Sequence, residues 1–262
     1  MTVTRALTAA GLGWLALAAP ALGQVPIGTT PDTRPAAPQH RPSWKEGGLA
    51  VGFNGLYLQG NVDMLTANGS LNANMNQGPH QLFLDAGNTF TRASGNVIVN
   101  RIAGSLLYAY AYAEDANVYG YVTNASDASV QLDYRVTAGL GGCRHKLFAP
   151  FFSLFLVSLN PAYEQEYFKD GTSAQAWRAV ARLNAIKPLM EGVELGGDAF
   201  VTPAVPDMAD VRVYAETYAK FKLVDALSLK LTAADAYDTR PRPGVQANDV
   251  GVFATLMAEW SR

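Results

Sequence analysis

Cysteine is almost missing from this chain. Cys143 is the only one in 262 residues, so no intrachain disulfide can staple the fold, and the thiol is read as a small residue near a strand end. Histidine is nearly as rare. His40, His80 and His145 are scattered and show no metal-ligand spacing. Charge is thin as well, at 16% Asp, Glu, Lys and Arg, against ~25% in soluble domains. The net charge of −2 comes without a basic block, so no nucleic-acid surface is expected. Beyond the N-terminus no apolar run approaches the ~20 residues of a membrane-spanning helix. No glycine-rich phosphate loop follows a strand and opens a helix. Low charge without spanning helices fits a membrane β-barrel, in which alternation dilutes the apolar residues.

Residues 1–23 read as a cleaved secretory signal. Arg5 precedes the apolar Ala6–Ala19 core, Pro20 breaks it, and Ala21-Leu22-Gly23 offers small residues before Gln24. Residues 24–43 read as a flexible linker, because Pro26, Pro31, Pro35, Pro38 and Pro42 disfavour both helix and sheet. The ordered part is expected over 44–262, opening at Trp44.

The clearest pattern lies in Val62–Asn76. Thr66, Asn68, Ser70, Asn72, Asn74 and Asn76 alternate with Leu65, Ala67, Gly69, Leu71, Ala73 and Met75. Only a strand separates two such sets, one to each face. Similar alternation recurs along the chain. Ile102, Leu106, Tyr108 and Tyr110 share a face; so do Leu132, Tyr134, Val136 and Leu140, with Gln131, Asp133 and Arg135 opposite. The strand near Asn117–Asn124 has no clear facing, and the first half of Pro150–Phe168 is apolar on both faces. About twelve strands result, an even number as bacterial outer-membrane barrels have. Longer connections are expected after strands 6, 8, 9 and 11 than after strands 2 and 10. The expected fold is therefore all-β: one closed antiparallel transmembrane barrel, greasy outside and wet inside.

The inward face then carries the charge. Its candidate ladder comprises Arg101, Asp133, Arg135, Glu164, Glu166, Arg178, Arg182, Glu194, Asp198, Arg212, Glu216 and Lys220. Neighbouring strands differ in sign, which favours cross-strand pairing, whereas an unpaired lumen charge would be costly. Folding about Pro188–Glu191 sets Arg182 opposite Asp198 as an ion pair. Twelve strands ~4.8 Å apart and tilted ~40° give a backbone diameter of ~24 Å, and long side chains narrow the free bore to ~10 Å or less. The charges serve either as packing that holds the barrel or as rungs of a narrow conduit for small hydrophilic solutes, with the Asn/Ser/Thr wall as its open side.

Two other classes stay open. A soluble periplasmic ligand-binding barrel would alternate in the reverse sense, apolar inside. An envelope hydrolase would need a nucleophile beside a base, and Cys143 with His145 on one strand face is the nearest arrangement, with no third orienting group. Catalysis, cofactors and metals are not expected. The expected partners are outer-membrane lipid and the barrel-assembly machinery.

Three stretches carry a family resemblance: Gly60-Asn61-Val62-Asp63 before the Thr/Asn strand, Tyr134-Arg135-Val136-Thr137-Ala138-Gly139-Leu140-Gly141, and Asn160-Pro161-Ala162-Tyr163-Glu164. In these the chain resembles the YdiY-like family of salt-induced outer-membrane proteins, a family of unknown function. The resemblance implies an outer-membrane location and a barrel fold, and supplies no mechanism.

Overall fold

The computed structural model describes residues 47–58, 63–148 and 151–261. The expected signal, the proline-rich linker, Trp44 and the Gly60-Asn61 turn lie outside them. The described elements are twelve strands: β1 (Gly47–Leu58), β2 (Met64–Gln77), β3 (His80–Ala93), β4 (Asn96–Ala113), β5 (Ala116–Asp127), β6 (Leu132–Arg144), β7 (Leu154–Phe168), β8 (Ser173–Met190), β9 (Val193–Val205), β10 (Val211–Val224), β11 (Leu227–Asp238) and β12 (Asn248–Ser261). Each pairs antiparallel with its sequence neighbour, and β1 pairs with β12 to close the barrel. The seam is paired over Gly48–Phe53 and Leu256–Ser261, which joins the two strands that an open sheet would leave as edges.

The two faces separate as the alternation requires. Phe53, Ile102, Leu140, Leu159 and Val252 are each more than 60% exposed on the outside. They belong to a continuous aliphatic surface far larger than soluble monomers present to water, and lipid is the medium that covers it. Tyr57, Tyr112, Trp177 and Trp260 stand exposed among them, as interfacial aromatics do. Arg101, Arg135, Glu164, Glu166, Arg178, Arg182, Arg212 and Glu216 are buried on the other face, in the lumen.

Turn chemistry sets the ends. The β3–β4 connection places Ser94 at φ 49° and Gly95 at φ 81°, the two positive φ values of a type I′ hairpin that matches strand twist. At the end carrying Gly47 and Ser261, the β2–β3, β4–β5, β8–β9 and β10–β11 connections have two residues each. We term this the turn end. The nine-residue β6–β7 connection, 145–153, is the exception at that end. The opposite, loop end carries the two-residue β3–β4 turn and the longer β5–β6, β7–β8, β9–β10 and β11–β12 connections.

Three expectations change. A long connection after strand 8 is replaced by the two-residue Glu191-Gly192 turn, because β8 runs on through Pro188 to Met190 with a register irregularity between those two residues. Proline lacks the ladder donor and is tolerated where pairing is irregular. β6 begins out of phase: Leu132 is buried and Asp133 is exposed, because the register with β7 slips between Leu132 and Tyr134. A one-residue slip exchanges the faces, so Asp133 leaves the lumen ladder. Thirdly, β5 has a definite facing. Asn117, Tyr119, Tyr121, Thr123, Ala125 and Asp127 are buried in the lumen, and Val118 and Val122 lie outside.

The interior is more apolar than a wholly wet lumen. Phe83, Leu107, Tyr121, Leu156, Phe200 and Tyr214 belong to one buried cluster, with Phe253 packed against it. Glycines make room for the inner tyrosines. A Cβ on Gly139 would strike the Tyr121 ring, and one on Gly196 would strike Tyr218.

Candidate functional site: the lumen and its loop-end mouth

The lumen has two unlike sides. On β2 and β3 the inward residues other than the buried Met64 and Phe83 are small or polar, and Asn68, Ser70, Asn72, Asp85 and Thr89 keep partial solvent exposure. Their bonds are to neighbouring strands: Thr66 to Thr91 at 3.1 Å, Asn68 donating to Asn54 of β1, and Ser105 donating to Asp85 at 3.3 Å. On β5–β10 the inward side chains are larger and mostly buried. Short side chains on one wall and long ones on the other displace the solvated space toward β1–β3.

The charged residues gather into an ion-pair network on the long-chain side. Glu164 and Glu166, two apart on β7, share the lumen face. Arg178 Nε donates to Glu164 at 2.8 Å, Arg212 Nη1 donates to the same Oε1 at 2.8 Å, and Arg135 Nε donates to Glu166 at 2.7 Å. Arg212 also reaches Glu166 at 3.2 Å and Asp238 at 3.1 Å, so it ties β10 to β7 across two intervening strands. Arg178 completes the set, donating to the Thr202 carbonyl at 3.1 Å and to Asp210 at 3.3 Å. Three guanidiniums thus converge on two glutamates that are almost fully buried. Such a cluster holds only because nearly every lone pair and proton is met.

The other ladder residues lie apart from it. Arg182 pairs with Asp198 at 2.7 Å and stacks over Phe200 at 4.8 Å. The register puts Arg182 opposite Phe200 and Asn184 opposite Asp198, so the pair is diagonal. Arg101 lies 3.9 Å from Asp127. Glu194 accepts from Tyr218 at 3.1 Å, Glu216 from Tyr214 at 2.6 Å, and Lys220 lies 2.6 Å from Glu259. Of the predicted set, Arg135, Glu164, Glu166, Arg178 and Arg212 come together, and Asp133 is outside.

Sequence reasoning left Asp127, Asp210 and Asp238 out of the ladder. Their signal was weak, since each sits at a strand terminus or in a loop where alternation fades. It also missed the buried hydrogen bonds of Asn160, which accepts from Tyr119 at 3.0 Å and donates to Tyr121 at 2.9 Å. Cys143 and His145 are both buried. Among the described residues no group of three or more His, Cys, Asp or Glu could hold a metal ion.

Above the network, at the loop end, lies a cavity of about 330 Å³. Its floor includes Arg135, Glu166 and Arg212, and its roof includes Arg240 and Arg242 from the β11–β12 loop. That loop is pinned down on both sides. Arg240 pairs with Asp207 of the β9–β10 loop. Arg242 pairs with Asp170 of the β7–β8 loop and lies over the Phe168 ring at 3.9 Å.

Comparison with solved structures returns barrels of similar outline. A NanC porin is 9% identical with a TM-score of 0.46, the match covering 81% of this chain and 97% of that one. The translocator domain of the autotransporter NalP from Neisseria meningitidis is 12% identical with a TM-score of 0.47, covering 82% and 87%. A KdgM porin is 7% identical with a TM-score of 0.43, covering 82% and 99%. At such values nothing those proteins carry transfers to this chain. No curated protein matches. The family model described as "Protein of unknown function, DUF481" matches residues 51–260, and the chain belongs to that family.

Proposed function

We propose that this chain is an outer-membrane barrel with a non-catalytic role, a narrow passive conduit for small hydrophilic solutes. The observation that carries the reading is the asymmetry of the lumen. Inward Asn, Ser, Asp and Thr side chains of β2 and β3 keep contact with solvent, whereas the opposite wall is packed and ion-paired. A solute small enough to pass would slide along amides and hydroxyls, which replace water hydrogen bonds one by one. The aliphatic exterior supports insertion in lipid. The short turns support placing the turn end in the periplasm, with the loop end outside. The barrel-assembly machinery is then the biogenesis partner. The YdiY-like name rests on the three sequence stretches given above.

Conductance of the purified protein in planar bilayers tests the reading. Reproducible small steps are expected from the parent, and Ser70→Trp, which puts an indole on the solvated wall, should suppress them. A second reading has its own observation. The apolar cluster from Phe83 on β3 to Phe253 on β12 favours a closed structural barrel of the envelope. A silent parent protein would decide for that second reading.

A further inference from the structure

The charges that face the lumen do not balance. Every lysine and arginine that the described strands turn inward has a carboxylate no farther than 3.9 Å away. Lys230, 3.7 Å from Glu216, completes the pairs given above within the bore, and Lys222 stands at the turn-end rim with Asp225 at 2.9 Å. Three further carboxylates face the lumen outside those pairs. Asp249, the second residue of β12 at the loop end, lines the mouth cavity. Asp85, near the middle of β3, accepts from Ser105 at 3.3 Å. Glu194, the second residue of β9 at the turn end, accepts from the Tyr218 hydroxyl at 3.1 Å. All three keep partial solvent exposure, whereas Arg101, Arg135, Arg178, Arg182 and Arg212 are buried.

In a narrow bore these placements act in one direction. A guanidinium beside a carboxylate projects little field beyond the pair, and a buried one offers no surface to a passing anion. The surplus negative charge stands where water reaches it, at both ends of the bore and midway. Low-dielectric walls focus such a field and concentrate the counter-ion, and inward Asp and Glu are the side chains by which pores select cations. We propose that the conduit selects small cations, inorganic ions or compact ammonium compounds, over anions, by way of Asp249, Asp85 and Glu194. Selectivity of this kind presupposes the conduit described above and gives it a solute class. A cation meets a carboxylate at each of the three levels. An anion is repelled there, and inside the bore only Lys220 and Lys230, a quarter exposed and already paired, could receive it.

The test is the reversal potential of the full chain in planar bilayers across a KCl gradient. The parent should pass K+ over Cl− by about fivefold, which is ~1 kcal/mol, the attraction of one charge pair ~4 Å apart in water. Raising the mean salt from about 0.05 M to about 1 M should pull that ratio toward one, as the Debye length shrinks. Asp85→Asn should lower the ratio part of the way. Asp85→Asn, Glu194→Gln and Asp249→Asn combined, which keep side-chain volume, should bring it close to one. Asp133→Asn, on the outer face, should leave it unchanged. Heat-modifiable gel mobility verifies that each variant is a closed barrel. A conducting parent with a ratio at or below one overturns the proposal and leaves the conduit standing. So does a ratio that the combined variant leaves intact. A parent without conductance steps removes the conduit, and its selectivity with it.

Discussion

Glu164 is the residue on which the loop-end half of the lumen converges. It accepts from Arg178 and Arg212, and Arg135 lies 3.8 Å away. Glu164→Gln keeps the volume and removes the charge, leaving Arg178 without its lumen carboxylate. Breaking a buried pair from one side costs about 3–5 kcal/mol. We expect that loss in urea unfolding followed by gel mobility, and a variant as stable as the parent would show the cluster to be dispensable. Gly139 is the opposite kind of site, important for an atom it lacks. Gly139→Ala drives a methyl into the Tyr121 ring. The ring must leave, and its hydrogen bond from Asn160 goes with it. Overpacking of this sort costs about 1–3 kcal/mol, and Tyr121→Ala added to Gly139→Ala should recover the steric part.

The strands and loops make a different set of predictions. β5 was ambiguous from its residues, because Val118 and Val122 on one face oppose Tyr119 and Tyr121 on the other, and periodicity cannot rank two apolar faces. The structure turns the tyrosines inward, where Asn160 meets their hydroxyls. A cysteine at Val122 should therefore react with a lipid-phase label and one at Thr123 should not. Strands whose two faces differ in polarity, such as β2 or β12, were legible from alternation alone. The phase of β6 at Leu132 was not, since a register slip leaves no mark in hydrophobic pattern. The mouth was legible least. Asp170, Asp207 and Asp238 belong to loops and strand ends, and their partners are set by how the loops fold over.

The β11–β12 loop is held by the Arg240–Asp207 and Arg242–Asp170 contacts, whose members are partly exposed. Exposed pairs weaken as salt rises. Amide exchange in residues 239–247 should accelerate between 0.05 M and about 1 M salt, more than exchange in β7 below. Acid should act similarly. The Thr172 hydroxyl and backbone amide bond to Asp170, and Arg242 beside it adds to them; together they hold its carboxyl below the usual range. A depressed carboxylate contributes stability above its unfolded value of about 3.9 and loses it as pH falls through the folded value. Faster exchange in the loop is thus expected below about pH 4, and exchange unaffected by both salt and acid would show that the arginines do not pin it.

At the scale of the whole molecule, the barrel couples an apolar exterior to an off-centre interior. Closure of β12 on β1 removes the edges that an open sheet of this length would offer to other chains. The packed side of the lumen runs from β5 to β10, and the conduit reading depends on the remaining wall. That asymmetry predicts unequal effects of bulky substitutions. A tryptophan at Asn72 should block conduction without much loss of stability, whereas one at Val180, within the buried cluster, should destabilise the barrel. Equal effects at the two positions would mean that the lumen is evenly filled.

Twelve is an even number, and the chain rises and descends in pairs of strands. Gly47 and Ser261 therefore emerge on one side of the sheet cylinder. An epitope appended after Arg262 would stay hidden from antibodies added to intact cells if the turn end faces inward. The same epitope placed in the 239–247 loop would be reached. One staining experiment on whole and permeabilised cells would fix the orientation of every strand at once.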